Sequence, residues 1–367
     1  MMAAMYPSRE SAERAPVERD NNFDSLRLLA ALSVLWSHTV PLTQGSERNE
    51  LMFRWSGGQT TTGTVAVFVF FSISGYLITR SFERASSPWS YVRARVLRIM
   101  PGLLAVLFAC ALVLGPLETT LPLRSYITSS EPYRYLLVQG SFYSGWLNEL
   151  PGVWSDNPTL GINGSIWTLK YEVELYGLVL LLGLLGALRR EVVLALYVLV
   201  LASLVLHPGA PGTADKLPDP NAHLDVGAAF LAGAALYLWR VPMRAGVALA
   251  CALATAWLCH AGYMLIAQRT VLPYLVLYLC LGVPALPRPR SDISYGLYLW
   301  GYPLSQLIVA HHPGLRWWAL AMIVTPLALL AGWLSWQCIE KPALRCKALT
   351  FRRSPALSRS GFDLRSY

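Results

Sequence analysis

The stretch Asn21–Pro41, NNFDSLRLLAALSVLWSHTVP, decides the fold, and the rest of the chain can be read outward from it. It is apolar enough to cross a bilayer, yet it carries Asp24, Arg27 and His38. Arg27 and His38 are eleven residues apart. At about 100° per residue that is three turns plus roughly 20°, so both side chains share one helix face, separated by about 16 Å along the axis. An ionisable residue inside a membrane helix is costly and faces a protein interior or a water-filled cavity. Two on one stripe read as the wall of a chamber.

Composition supports a membrane protein. The 367 residues are 54% hydrophobic and only 14% charged, against about 25% charged in soluble domains. Tryptophan (13) and tyrosine (18) are abundant, as expected of aromatic belts at two membrane interfaces. The six cysteines, Cys110, Cys251, Cys259, Cys280, Cys338 and Cys346, form no CxxC; neither a disulfide framework nor a metal site is expected. Residues 1–20 are polar and mixed in charge, without the apolar core of a cleavable signal peptide. They read as the start of a cytoplasmic tail, 1–22.

Spans of about 20 apolar residues cross a bilayer, and ten candidates follow one another: about 23–41, 63–82, 97–115, 166–186, 191–206, 223–239, 243–259, 262–284, 293–311 and 316–338. The eighth is interrupted by Gln268, Arg269 and Pro273. A long polar segment, 116–165, follows the third span, and its apolar stretch near Tyr135–Gln139 is too short to cross. A basic tail, 339–367, closes the chain. The expectation is therefore an all-α polytopic bundle of about ten transmembrane spans, its membrane domain occupying 23–338, with no internal repeat.

Orientation follows from arginine and lysine, which are in excess in cytoplasmic loops. With the N-terminus inside, 21 of the 30 basic residues fall in inside segments and seven in outside loops. Both termini are therefore expected in the cytoplasm. The net charge of +9 is thereby read as a topology signal and not as a nucleic-acid footprint.

This topology places the polar residues by depth. The fourth span runs inward, so Glu172 and Glu174 lie one to two turns below the outer surface, near the depth of His38. A histidine and a carboxylate at one depth can form a base–orienter pair. Two residues apart, the glutamates point about 160° from each other, so at most one faces His38. The bland alternatives are a packed structural histidine and glutamates in a wet vestibule. Arg93, Arg95 and Arg98 open the third span; Arg95 and Arg98 are i,i+3 neighbours. They serve either as membrane-surface anchors or, with Arg27, as a bidentate anion site. Ser72, Ser74 and Gly75 in FFSISGY (70–76) fit close helix packing. Asp292, Tyr295 and Tyr298 open the ninth span in SDISYGLY (291–298), the tyrosines either belt residues or a cavity lining. Asn163-Gly164-Ser165 matches a glycosylation sequon.

Six segments, in order, carry a family resemblance. Asp24-Ser25-Leu26-Arg27 with His38 after ten intervening residues resembles the Arg-x10-His signature of acyltransferase family 3, the integral-membrane O-acyltransferases. FFSISGYLIT (70–79), RARVLRIMP (93–101), NGSIWTLKYEVELY (163–176), ISYGLYLWGYPL (293–304) and IEKPALR (339–345) resemble its later landmarks. By that spacing Glu172, not Glu174, takes the glutamate position. Where many members have His-x-Pro, this chain has Trp300-Gly301-Tyr302-Pro303, so no catalytic role is carried over there. The extra extracytoplasmic esterase-like domain of some members is not expected after span ten.

The resemblance implies transfer of an acyl group, commonly acetyl, from acyl-coenzyme A to a hydroxyl of a carbohydrate or glycoconjugate acceptor such as a surface polysaccharide. Acyl-coenzyme A is then a co-substrate, no cofactor is held, and the location is a bacterial inner membrane. His38 is expected as general base or transient acyl acceptor, Glu172 as its orienter, and Arg27, Arg95 and Arg98 as the donor's anion site. Asp24, Ser74, Tyr76, Trp167, Tyr295 and Tyr298 are expected to line the chamber. The competing class is a transporter or flippase of a lipid-linked saccharide, which matching broken spans in inverted repeats would favour; none is visible.

Overall fold

The computed structural model describes residues 21–142, 147–207, 221–287, 289 and 291–349. Residues 1–20 and 350–367, and with them most of both expected tails, lie outside the described residues. Each of the ten apolar stretches carries helix. These are α1 (Phe23–Gln44), α2 (Thr62–Glu83), α3 (Pro88–Ala109), α4 (Trp167–Leu184), α5 (Arg190–Leu206), α6 (Ala222–Leu238), α7 (Ala245–His260), the pair α8 (Met264–Thr270) and α9 (Leu272–Leu281), α10 (Ser294–His311) and α11 (Trp317–Ser335). Among the described residues there is no strand, only an isolated bridge between Thr119 and Val153. The fold is all-α.

The ten expected spans correspond to ten helical stretches, but among the described residues only four or five of these are long and apolar enough to be candidate membrane spans. Phe23–Gln44, Thr62–Glu83, Pro88–Glu118 and Trp317–Cys346 qualify, and α8 with α9, bent by 49°, passes the same test only as a pair, which is either a broken span or a re-entrant loop. The reason is partly length. α6 has 17 residues and α7 has 16, which at 1.5 Å per residue is about 25 Å, short of a hydrocarbon core of about 30 Å. α4 instead begins with Lys170, Glu172 and Glu174.

Local signals set the helix ends. Ser87 and Ser90 form a reciprocal capping box before α3, with Pro88 at its first position. Thr61 caps α2 by accepting from the Thr64 N–H. α1 ends at Gly45, whose φ of 69° is left-handed and whose N–H bonds the Pro41 carbonyl. The bend between α8 and α9 falls where Gln268, Arg269 and Pro273 interrupt the apolar run.

α2 and α6 form the centre of the bundle. α6 (AHLDVGAAFLAGAALYL) is buried from Asp225 to Ala235, and small residues let its backbone approach that of α2. A Cβ on Gly75 would overlap the Phe230 carbonyl, and one on Gly233 would overlap that of Ser72. α10 and α11 cross through Gly296 and Gly332 in the same way. Apolar side chains of α1, α2, α4, α6 and α9 close around this centre, Phe68, Phe71, Ile73 and Phe230 among them.

The polar segment 116–165 carries the short helices Leu123–Thr128 and Glu131–Ser141. Its later half is sewn onto the bundle by amide side chains. Asn157 Nδ2 donates to Gln306 Oε1 (2.8 Å) and Asn163 Nδ2 to the Leu299 carbonyl (2.9 Å). Gln306 Nε2 donates to the Thr159 and Gly161 carbonyls (2.8 and 2.6 Å). The sequon asparagine is thus buried and engaged, which removes it from the glycosylatable surface. The basic tail begins as a helix, Lys341–Leu349, that runs on from α11 through a π-helical turn.

Candidate active site

Two cavities meet inside the bundle. Arg27 lines one, of about 40 Å³, with Ser74, Thr168, Glu172, Tyr295 and Tyr298. His38 lines the other, of about 220 Å³, with Glu47, Thr60, Trp167, Asp225 and Tyr298. Val67 and Tyr298 belong to both linings, so they form the partition. The shared stripe on α1 therefore faces two adjoining chambers. Tyr298 is fixed there: its hydroxyl donates to the Ser165 carbonyl and pairs with Thr168 Oγ1 at 2.7 Å, while Phe70 meets its ring edge-on at 5.9 Å.

His38 packs against Tyr302, the ring centroids 5.1 Å apart and the planes at 79°. Glu172 is elsewhere. It accepts from the hydroxyl of Tyr176 and from Ser74 Oγ at 3.5 Å, on the Arg27 side of the partition. The matched depth of His38 and Glu172 is not matched orientation, and the expected pair is not brought together; among the described residues no carboxylate lies within ion-pair distance of His38. Glu174 is exposed and pairs with Lys170 at 3.9 Å. Of the two glutamates only Glu172 faces the interior.

The arginines also separate. Arg95 and Arg98 stand about 60° apart around α3, and that difference sends them into different surroundings. Arg95 lies over the Tyr176 ring at 5.9 Å and lines a third, largely apolar cavity of about 290 Å³. Arg98 is 14% exposed and pairs with Asp292 at 2.7 Å and Glu340 at 3.8 Å, between the rings of Tyr295 and Trp336. Its charge is committed to a triad that ties α3 to the start of α10 and the end of α11. The three arginines do not converge on one point. Of the remaining expected lining residues, Ser74, Trp167, Tyr295 and Tyr298 line the chambers. Asp24 is exposed, and Tyr76 packs between Phe23 and Tyr237.

The triad makes a pH prediction. Burial pushes the Asp292 carboxyl up, but the Arg98 and Arg27 guanidiniums, with hydrogen bonds from Arg98 and Ser294, more than offset this and hold it below its ordinary 3.8. A depressed carboxyl contributes stability above its unfolded value and loses it as pH falls through the folded one. Thermal unfolding in detergent is expected to show this loss below about pH 4. Asp292→Asn is expected to remove the contribution at neutral pH and to flatten that part of the acid limb. Identical melting of both proteins at pH 7 would count against the triad.

Two residues around His38 escape the sequence reading, Tyr302 against its ring and Asp225 in the lining of its cavity. Tyr302 sits in a motif that departs from the family pattern. Asp225 is a lone carboxylate in an alanine-rich apolar stretch, the signal that marks intramembrane function, and it pairs with Arg269 at 2.6 Å.

Helices long and apolar enough to cross a membrane, around two adjoining buried chambers with ionisable linings, define a polytopic membrane protein with an internal polar site. Residues 20–337 match the family described as an acyltransferase domain. The chain belongs to that family and is an acyltransferase by descent. It is 29% identical to a protein of Shigella phage Sf6 named O-acetyl transferase, over 93% of this chain and 99% of that one. It is 31% identical to Nodulation protein 10 of Rhizobium leguminosarum bv. viciae, over 91% and 96%. No solved structure matches.

Proposed function

We propose that this protein is an integral-membrane O-acetyltransferase of a bacterial inner membrane. It moves an acyl group from acyl-coenzyme A to a hydroxyl of a carbohydrate or glycoconjugate acceptor. The observation that carries the reading is the partition: Val67 and Tyr298 join a chamber holding Arg27 to a chamber holding His38. The name of the phage relative supports the reaction type.

In this reading the donor enters from the cytoplasmic side, with Arg27 in its own chamber and Arg95 on the neighbouring apolar cavity as separate cations for its anionic groups. The stripe of about 16 Å between Arg27 and His38 accommodates the pantetheine arm. At the partition the acceptor hydroxyl attacks the thioester carbonyl while His38 takes its proton. The new C–O bond forms, the C–S bond breaks, and the departing thiolate receives the proton. Glu172 acts on the donor side, holding Ser74 and Tyr176, and not as the orienter of His38. Arg98 holds the bundle together.

Vesicles containing the protein and its native acceptor test this. Radiolabelled acetyl-coenzyme A is expected to pass label into the glycan fraction. Label in no fraction, from acetyl- or longer acyl-coenzyme A, would overturn the reading in favour of a saccharide transporter.

A further inference from the structure

The mechanism leaves one buried ion pair unused. Asp225, in the first turn of α6, and Arg269, beside the bend between α8 and α9, are only 12% and 16% exposed. Dehydrating such charges costs several kcal/mol per ion, and ionisable residues at these depths mark functional sites. A purely architectural pair could lie anywhere in the bundle. This one presents Asp225 to the His38 cavity, while Arg269 grips it from outside that lining.

The cavity's chemistry is specific. Trp167 contributes an aromatic surface, and Ser37, Thr60, Thr61 and Thr64 contribute hydroxyls. Its charged lining is acidic: Glu47 and Asp225 are present, and among the described residues no lysine or arginine lines it. Its volume is about 220 Å³. At about 30 Å³ of liquid volume per water, that equals about seven waters, room for a small polyhydroxylated group such as one sugar ring. A carboxylate offers about four acceptor positions on two oxygens, so pairing with Arg269 is compatible with accepting from a ligand hydroxyl.

Resting on the acceptor reading above, we propose that Asp225 is a specificity-determining residue of the acceptor site. Its carboxylate accepts hydrogen bonds from hydroxyls of one neutral saccharide unit seated between it and His38. Arg269 is the positioning residue that aims the carboxylate. An anionic sugar in the same place would meet the Glu47 carboxylate with no lysine or arginine in the described lining to offset it, Asp225 being already paired with Arg269.

The test uses the full chain purified in detergent, labelled acetyl-coenzyme A as donor, and as acceptor the glycan fraction that takes label in the vesicle experiment. Asp225→Asn is expected to raise the acceptor KM about tenfold to a hundredfold, the loss of a hydrogen bond to a charged group, with the KM for acetyl-coenzyme A unchanged. Arg269→Gln is expected to act in the same direction, and Arg269→Lys to recover most of the loss. Hydrolysis of the labelled glycan is expected to yield a neutral acetylated sugar. An unchanged acceptor KM in Asp225→Asn, or a fall in kcat with both KM values intact, overturns the proposal and leaves the pair structural. A labelled uronic acid overturns it too. If Asp225→Asn does not fold, Asp225→Glu keeps the charge pair while displacing the oxygens, and the same split in KM decides. A wild type that acetylates no glycan removes the acceptor reading itself; a wild type that does, with Asp225→Asn indifferent to acceptor, removes this inference alone.

Discussion

His38→Ala is expected to abolish acetyl transfer while leaving the bundle folded. General-base catalysis by a positioned side chain contributes about 10²–10⁴-fold, and His38 is the one titratable base on the α1 stripe at the acceptor chamber. Its only ring neighbour among the described residues is Tyr302, so truncation removes the base without breaking a hydrogen-bond network. Labelled acetyl transfer in vesicles, beside a melting curve in detergent, separates the two effects. A loss of activity with unchanged melting supports the role. Equal labelling by wild type and His38→Ala would eliminate it. Glu172→Gln is the informative companion: a donor-side role predicts a raised KM for acetyl-coenzyme A, whereas an orienter role predicts a fall in kcat like that of His38→Ala.

Gly75→Ala is expected to have the largest effect on folding of any single-methyl change. A Cβ there would overlap the Phe230 carbonyl, with the Phe230 carbonyl carbon at 2.7 Å and the Ala234 nitrogen at 3.0 Å. All of these are backbone atoms, so no rotamer change relieves the clash and α2 must move away from α6. Overpacking costs about 1–3 kcal/mol and occasionally more; here it also separates the two helices that flank the chambers. Gly233→Ala meets the Ser72 carbonyl from the other side and is expected to match it. Gly177→Ala, where a Cβ meets nothing within 4 Å, is the control, expected to gain about 0.5–1 kcal/mol in a helix interior. Melting temperature and monodispersity in detergent check all three. Equal behaviour of Gly75→Ala and Gly177→Ala would show that the crossing tolerates separation.

The helices were legible because hydropathy and length are local properties. Every apolar stretch read as a span is helical, and the weakest, around Gln268, Arg269 and Pro273, is the one that bends. The long segment 116–165 was legible as non-spanning but not as ordered, because its order comes from asparagine and glutamine side chains reaching partners far along the chain. Asn163 and Leu299 are 136 residues apart.

The sequence by itself determined the all-α fold, the Arg27–His38 stripe and the motifs that place the chain in its family, since each depends on the residues within one helix or one short segment. Only the tertiary structure decided what those residues face. Helix spacing gives depth and relative angle, but the rotation of α4 against α1 is set by packing, and it turns Glu172 toward Ser74 and Tyr176 instead of His38. Arg98 carries the same motif spacing as an anion clamp, yet Asp292 and Glu340 take its charge because the start of α10 and the end of α11 meet the middle of α3 there. Asp225 lines the cavity of a histidine on α1 only because α6 packs into the bundle there, through its close backbone crossing with α2.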